Sequence, residues 1–196
     1  MSKRIIVATG NAGKMKEFKE VLGDLDADIV SMKEAGIEED VEENGTTFEE
    51  NALIKARAIA KKATDAIVLA DDSGLEIDYL NKEPGIYSAR YLGHDTSYDY
   101  KNKVILEKLK DVPKEQRSAR FVCALAAVFP DGKEVVKRAT IEGEIGYEIA
   151  GENGFGYDPI FFVPEYGMTT AELTMEQKNA ISHRGKALRM IKEELV

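Results

Sequence analysis

"AIVLADDSGLEIDYL", Ala66 to Leu80, decides how the rest of the chain is read. Ile67, Val68, Leu69 and Ala70 form an unbroken apolar run, and Leu75, Ile77, Tyr79 and Leu80 resume an apolar pattern with alternation. The first run reads as a buried strand and the second as a half-buried one, with a turn at Ser73-Gly74 between them. Asp71 and Asp72 sit at the junction. One buried carboxylate without a partner is costly, and two side by side also repel. A pair at a strand mouth suits Mg²⁺, which keeps several waters and takes only one or two carboxylates. An Asx-turn capping the strand is the plainer structural reading of the same residues.

Working outward, "KRIIVATG" is a strand ending at Thr9-Gly10, and "KMKEFKEVLGDL" a helix with Met15, Phe18, Val21, Leu22 and Leu25 on one face. "ADIVSM" is a short strand. Thr47 to Glu50 spell a capping box that opens the helix "NALIKARAIAKKA". A further helix begins near Asp95 or Ser97 and runs to about Lys110. "ARFVCALAAVF" and "KEVVKRATIEGEI" are long strands joined at Pro130-Asp131-Gly132, a hairpin signal. "IFFVP" is another strand, and two helical segments close the chain. Strand and helix alternate first and a hairpin comes later, which predicts an α/β protein with a mixed sheet flanked by helices. The 196 residues read as a single domain, long enough for a sizeable core.

The net charge of −9 is concentrated. Between Glu34 and Glu50 lie eight acids (Glu34, Glu38, Glu39, Asp40, Glu42, Glu43, Glu49, Glu50) and no Lys or Arg; the remainder carries −1 once those eight are set aside. Such a chain is a poor candidate for broad duplex binding, which needs a basic face. The apolar run after Lys3-Arg4 ends at Ala8, too short for a secretory leader or a membrane span. Cys123 is the one cysteine, so no disulfide framework or cysteine-based zinc site is available. A cytoplasmic protein is expected.

Three stretches carry candidate chemistry. "ATGNAGK", Ala8 to Lys14, lies at a strand end before a helix, where small residues, the helix N-terminus and Lys14 favour an anion. It is not a Walker A loop: two residues rather than four separate Gly10 from Gly13, and Met15 replaces the hydroxyl residue. The second stretch is the Asp71-Asp72-Ser73-Gly74 turn. In the third, "NGFGYDPIFF" offers Phe155 and Tyr157 as rings for stacking on a base, and "KNAISHRGKA" concentrates Lys178, His183 and Arg184 in an acidic chain. A phosphate cradle, a carboxylate metal site, an aromatic platform and a cationic cluster together describe an enzyme that acts on a nucleotide with Mg²⁺.

At these motifs the chain resembles the inosine triphosphate / xanthosine triphosphate pyrophosphatase family. "TGNAGK", "TFEENALIKA", "ADDSGL", "PGIYSARY", "GFGYDPIF" and "AELT" with "EQKNAISHRG" occur in that family's order along essentially the whole length. The resemblance implies an elongated α/β protein with a long mixed sheet and two lobes about a central cleft, usually a homodimer. It implies Mg²⁺-dependent hydrolysis of ITP, dITP and XTP to the monophosphate and pyrophosphate. By the same resemblance Thr9, Gly10, Asn11, Ala12, Gly13 and Lys14 hold the phosphates, and Asp72 is proton acceptor and metal ligand. Ser73 touches the substrate. Phe155, Gly156, Tyr157, Asp158, Lys178, His183 and Arg184 bind the nucleoside, and Lys55 and Asp71 give support. Glu42 or Glu43 completes the metal site, the sequence leaving the two equivalent. Arg184 is the donor expected to read the C6 oxygen that hypoxanthine and xanthine carry and adenine lacks. A house-cleaning pyrophosphatase of different base preference and a non-catalytic nucleotide-binding protein are the competing readings.

Overall fold

The structure, a computed structural model, describes residues 2–196. Its elements are β1 (Lys3–Val7), α1 (Ala12–Leu22), β2 (Ala27–Ser31), α2 (Phe48–Ala60), β3 (Ile67–Ile77), β4 (Glu83–Pro84), α3 (Tyr98–Lys108), β5 (Ser118–Val128), β6 (Glu134–Ile145), β7 (Phe161–Val163), β8 (Met168–Thr169), α4 (Met175–Ile181) and α5 (His183–Leu195). The strands follow the order β2-β1-β3-β5-β6-β7-β8, with β4 paired to β3. β1 pairs in parallel with β2 and β3, whereas β6–β7, β7–β8 and β3–β4 are antiparallel. The mixed α/β sheet expected from the sequence is therefore present.

The turn expected at Ser73-Gly74 is not formed. β3 runs without a break from Ile67 to Ile77, and Tyr79 and Leu80 fall in a short 3₁₀ turn after it rather than in a strand. Leu69, Ala70, Leu75 and Ile77 are all fully buried, so apolar burial continues on both sides of the acidic pair without reversing the backbone. The polar interruption marks a change in what the strand faces. Adjacent strand residues point to opposite faces, so Asp71 and Asp72 do not lie side by side as the sequence suggests.

The chain divides into two compact units, and β3, β5 and β6 contribute residues to both. The first comprises residues 1–72, 123–139 and 184–196. Its core joins Ile5 and Val7 of β1, Phe18 and Leu22 of α1, Ile67 and Leu69 of β3, Cys123 and Leu125 of β5, and Leu188 and Ile191 of α5. Cys123 is fully buried there, which pushes its thiol up to about 12 and leaves it inert. The second unit comprises residues 73–122 and 140–183, with a separate core of Leu75, Ile77, Ile105, Phe121, Ile145, Tyr157, Ile160 and Phe161. Among the described residues no helix is long and apolar enough to cross a membrane.

Local signals set the helix starts. Asn11 caps α1, its side chain accepting the Lys14 N–H at 3.1 Å, so α1 begins inside the glycine-containing stretch. Thr47 caps α2 in the same way through the Glu50 N–H. The return half of that expected box goes elsewhere: the Glu50 carboxylate accepts from the N–H and hydroxyl of Thr46 at 2.6 and 3.0 Å. A complete capping box, Thr174 with Gln177, opens α4. The acidic stretch before α2 pairs with cations from outside it, Glu34 with Lys19, Glu39 with Lys62 and Glu43 with Lys55, and Glu49 in the first turn of α2 pairs with Arg138.

Candidate active site

In the first unit the parallel register of β1 and β3 carries the chain after Val7 past Leu69, and the Ala8 N–H donates to the Leu69 carbonyl at 2.7 Å. The stretch from Thr9 to Lys14 thus begins next to the strand that ends its apolar run at Asp71. Thr9 accepts the Asn11 N–H at 3.1 Å, and Asn11 is spent on the cap of α1. Lys14 reaches back, its ammonium 3.2 Å from Asp71 Oδ2.

Asp71 is 1% exposed and anchors a buried network. Burial alone would raise its pKa, but Lys14, Arg184 and Lys55 outweigh that and hold the carboxyl well below the usual carboxylate range. Arg184, 2% exposed, donates Nε to Asp71 Oδ2 at 3.3 Å and Nη1 to Glu17 of α1. Lys55 of α2 donates to the Asp71 carbonyl at 3.1 Å and pairs with Glu43. Every charge in this set has an opposite charge beside it, the condition for keeping ions in a low-dielectric interior.

Asp72 is treated differently. It is 7% exposed, and its Oδ2 is buried with no hydrogen-bond partner. Burial first, then the nearby Glu43 carboxylate, push the Asp72 carboxyl up to about 7, against a pull downwards from Lys55 and Lys14. Asp71 contributes least, as expected for carboxylates on opposite faces. Neighbouring carboxyls driven in opposite directions mark an acid–base site more often than a structural one. Glu43 is half-buried against Lys55, whereas Glu42 is exposed, which separates two residues the sequence leaves equivalent.

Among the described residues no cluster of three or more His, Cys, Asp or Glu forms a ready metal cage. Mg²⁺ does not require one, since one or two carboxylates suffice when waters and substrate phosphates fill the rest. Asp72, with its unpartnered buried oxygen, and Glu43 close enough to raise it, fit that requirement.

The second unit holds the loop from Gly154 to Asp158. Asp158, 2% exposed, organises it: Oδ2 accepts the Phe155 N–H at 3.0 Å and the Lys178 ammonium at 2.6 Å, and Oδ1 accepts the Thr170 hydroxyl at 2.8 Å. Gly154 has φ +71°, and a Cβ there would collide with the same carboxylate, so only glycine fits. Phe155 stays half-buried, its ring 4.6 Å from the Lys178 ammonium.

One expectation fails here. Tyr157 is not a free stacking ring: it is 5% exposed, packs edge-on against Tyr98 and donates its hydroxyl to the Ser88 carbonyl at 2.5 Å. Lys178, His183 and Arg184, grouped in the sequence as one cationic feature, each have a partner of their own. Lys178 serves Asp158, His183 stacks on Phe121 at 4.9 Å between centroids, and Arg184 serves Asp71 and Glu17. Each group is buried, and the two buried cations, Lys178 and Arg184, take acidic partners. Ser73, half-buried, follows Asp72 directly in β3.

Sequence reasoning missed Glu17, Asn51 and Asn102. Glu17 stands three residues after Lys14, hence on the same face of α1. That spacing was the available signal. Asn51 lies one turn before Lys55 on α2 and accepts the Gly45 N–H at 2.8 Å, fixing the loop that carries Glu43.

The Ham1 family model matches residues 5–194. A Clostridium perfringens protein named dITP/XTP pyrophosphatase is 50% identical over 198 residues, covering 98% of this chain and 97% of the relative. The structure of the Staphylococcus aureus Ham1 protein superposes with a TM-score of 0.86 at 44% identity, with 98% of each chain covered. A HAM1 protein from Coxiella burnetii gives a TM-score of 0.87 at 42% identity, again over 98% of each chain.

Proposed function

The chain belongs to the Ham1 family, and from that premise we propose that it hydrolyses deaminated purine nucleoside triphosphates, ITP, dITP and XTP, to the monophosphate and pyrophosphate. The observation that carries the reading is Asp72: a buried carboxyl with one unpartnered oxygen, set among Lys14, Lys55 and Glu43. The name of the Clostridium perfringens relative supports the choice of substrate.

In this reading the N–H groups around Gly10 to Gly13, the N-terminus of α1 and Lys14 bind the triphosphate. Asp72 accepts the proton of the water that attacks the α-phosphorus, as a carboxylate whose Oδ2 has no hydrogen-bond partner of its own. Asp72 and Glu43 would hold Mg²⁺, which would supply neutralisation of phosphate charge. Lys55 keeps Glu43 and the Asp71 carbonyl in place, and Arg184 keeps Asp71 in place. Ser73 touches the substrate, and Phe155 and Gly156 meet the nucleoside, with Asp158 and Lys178 fixing their loop. The same reading makes the protein a cytoplasmic homodimer, and its lone unpaired thiol suits a reducing compartment.

Pyrophosphate release across ITP, dITP, XTP, ATP, GTP, dTTP and dUTP, with and without Mg²⁺, is the test. Fast turnover of the first three alone, and only with Mg²⁺, is expected. Preference for a pyrimidine nucleotide would replace the substrate assignment, and tight binding without turnover would replace the activity. A second measurement separates the two acids. Glu43→Gln should weaken Mg²⁺ binding, read by calorimetry, and lower turnover about tenfold or more, while Glu42→Gln should stay near wild type. Equal losses in the two variants would remove Glu43 from the metal site.

A further inference from the structure

We propose that Asn102 of α3 is a positioning residue for nucleoside recognition, acting by fixing the Gly156–Tyr157 peptide; this rests on the reading above that the loop around Phe155 meets the nucleoside. Asn102 is 2% exposed, and its Nδ2 donates to the Gly156 carbonyl at 3.1 Å. Its Oδ1 is buried without a hydrogen-bond partner. A buried amide with one of its groups unsatisfied contributes little to stability beyond the one bond it makes. What an apolar residue cannot do is hold the Gly156 carbonyl.

That hold matters because of the residue it acts on. Gly156 has φ +65°, a region that glycine enters freely, so the peptide after it is easily rotated. A trans peptide is planar, so pinning the Gly156 carbonyl also fixes the opposite direction of the Tyr157 N–H. Phe155 is attached to the other side of Gly156, with its own N–H already on Asp158. Asn102 thus removes the remaining backbone freedom next to the Phe155 ring.

The start of α3 secures the neighbouring turn as well. Lys101, 1% exposed, donates to the Ala89 carbonyl at 2.8 Å with its ammonium 4.5 Å from the Tyr98 ring. Tyr98 meets Tyr157 edge-on at 5.2 Å, and Tyr157 bonds to Ser88. One helical turn therefore grips residues 88–89 and residues 156–157 together.

The test compares a substrate that has a base with a ligand that has none. In Asn102→Leu, which keeps the volume and loses the donor, KM for ITP should rise about tenfold, the scale of one buried hydrogen bond, with kcat within about threefold. Inhibition by pyrophosphate should be unchanged. An unaltered KM overturns the proposal, and so does a parallel loss of ITP and pyrophosphate binding, which would mean a general loss of structure. Gly156→Ala strains the same peptide while its Cβ would meet only ordinary contact with Tyr98 at 3.7 Å. It should show the same split between KM and kcat, and Asn102→Ala, which lacks the donor and leaves Gly156 itself unchanged, decides the matter if Asn102→Leu does not fold. Failure of the underlying reading looks different: the wild-type protein itself would not release pyrophosphate from ITP.

Discussion

Asp72→Asn should lower ITP turnover by roughly 10²–10⁴-fold, the usual contribution of a general base, and at the same time make the metal-free protein more stable. The second effect follows from the cost of the carboxylate. Burial and the Glu43 carboxylate push its pKa up to about 7 in the folded state, well above the ordinary aspartate range, so the native state binds the proton more tightly than the unfolded chain. A group raised in this way favours folding fully below its unfolded pKa, and the benefit is lost as pH rises through the folded value. Wild type and variant should therefore be close in stability near pH 4, and diverge between pH 4 and 7. Above that, the variant should lead by on the order of 4 kcal/mol at most. Asparagine keeps the shape and removes the charge that burial and Glu43 oppose. Mg²⁺ should raise the melting temperature of wild type and leave the variant almost unmoved. Thermal melts at pH 4, 6 and 8, with and without Mg²⁺, check all of this beside a turnover assay. A variant that is less stable than wild type at pH 8 would show that Asp72 is an ordinary structural carboxylate.

The sequence discloses more of the fold than of the site's internal logic. The periodic segments were legible because local pattern and tertiary burial agree there: Phe18 and Leu22 on α1, and the apolar runs of β1, β3 and β5, are all in the cores. Asp71-Asp72-Ser73-Gly74 misled because small and polar residues usually mark turns. Here they are carried through a continuous strand by partners far along the chain: Lys55 on the Asp71 carbonyl and Ser88 on the Leu75 N–H at 2.9 Å. No local window contains those residues.

The same holds for charge. His183 and Arg184 are adjacent in sequence and read as one feature, yet one stacks on Phe121 and the other belongs to an ion network with Glu17 and Asp71. Glu42 and Glu43 likewise look equivalent until Lys55 selects one of them. Composition indicates that carboxylates and cations will meet; only the fold says which cation meets which acid. The Glu17–Arg184 pair spans 167 residues and joins α1 to α5, and Arg184 in turn reaches Asp71 of β3.

That pair sets the second large expectation. Arg184→Met should destabilise the protein by about 3–5 kcal/mol, because removing one member of a buried ion set leaves the others uncompensated. For a chain of this length the melting temperature would fall on the order of 10 °C. The pH dependence has a definite sign. In wild type Asp71 is held below its ordinary range, so its pairing contributes stability above about pH 4 that is lost as pH falls through the folded value. Without Arg184 that contribution is reduced, and the gap between variant and wild type should narrow as the pH falls below about 4 and Asp71 takes up its proton. Adding Glu17→Gln to Arg184→Met should recover part of the loss, since it removes one of the stranded charges. Base selection is affected in a way that separates two roles for this arginine. A guanidinium reading the C6 oxygen would, when removed, collapse the ITP/ATP ratio of kcat/KM while ATP turnover stayed low and unchanged. The guanidinium in this structure is already engaged by Asp71 and Glu17 at 2% exposure. Both rates should therefore fall together with the ratio kept within about threefold, because what is lost is the placement of Asp71 and, through it, of Lys14. A collapsed ratio at an unchanged melting temperature would return Arg184 to the base.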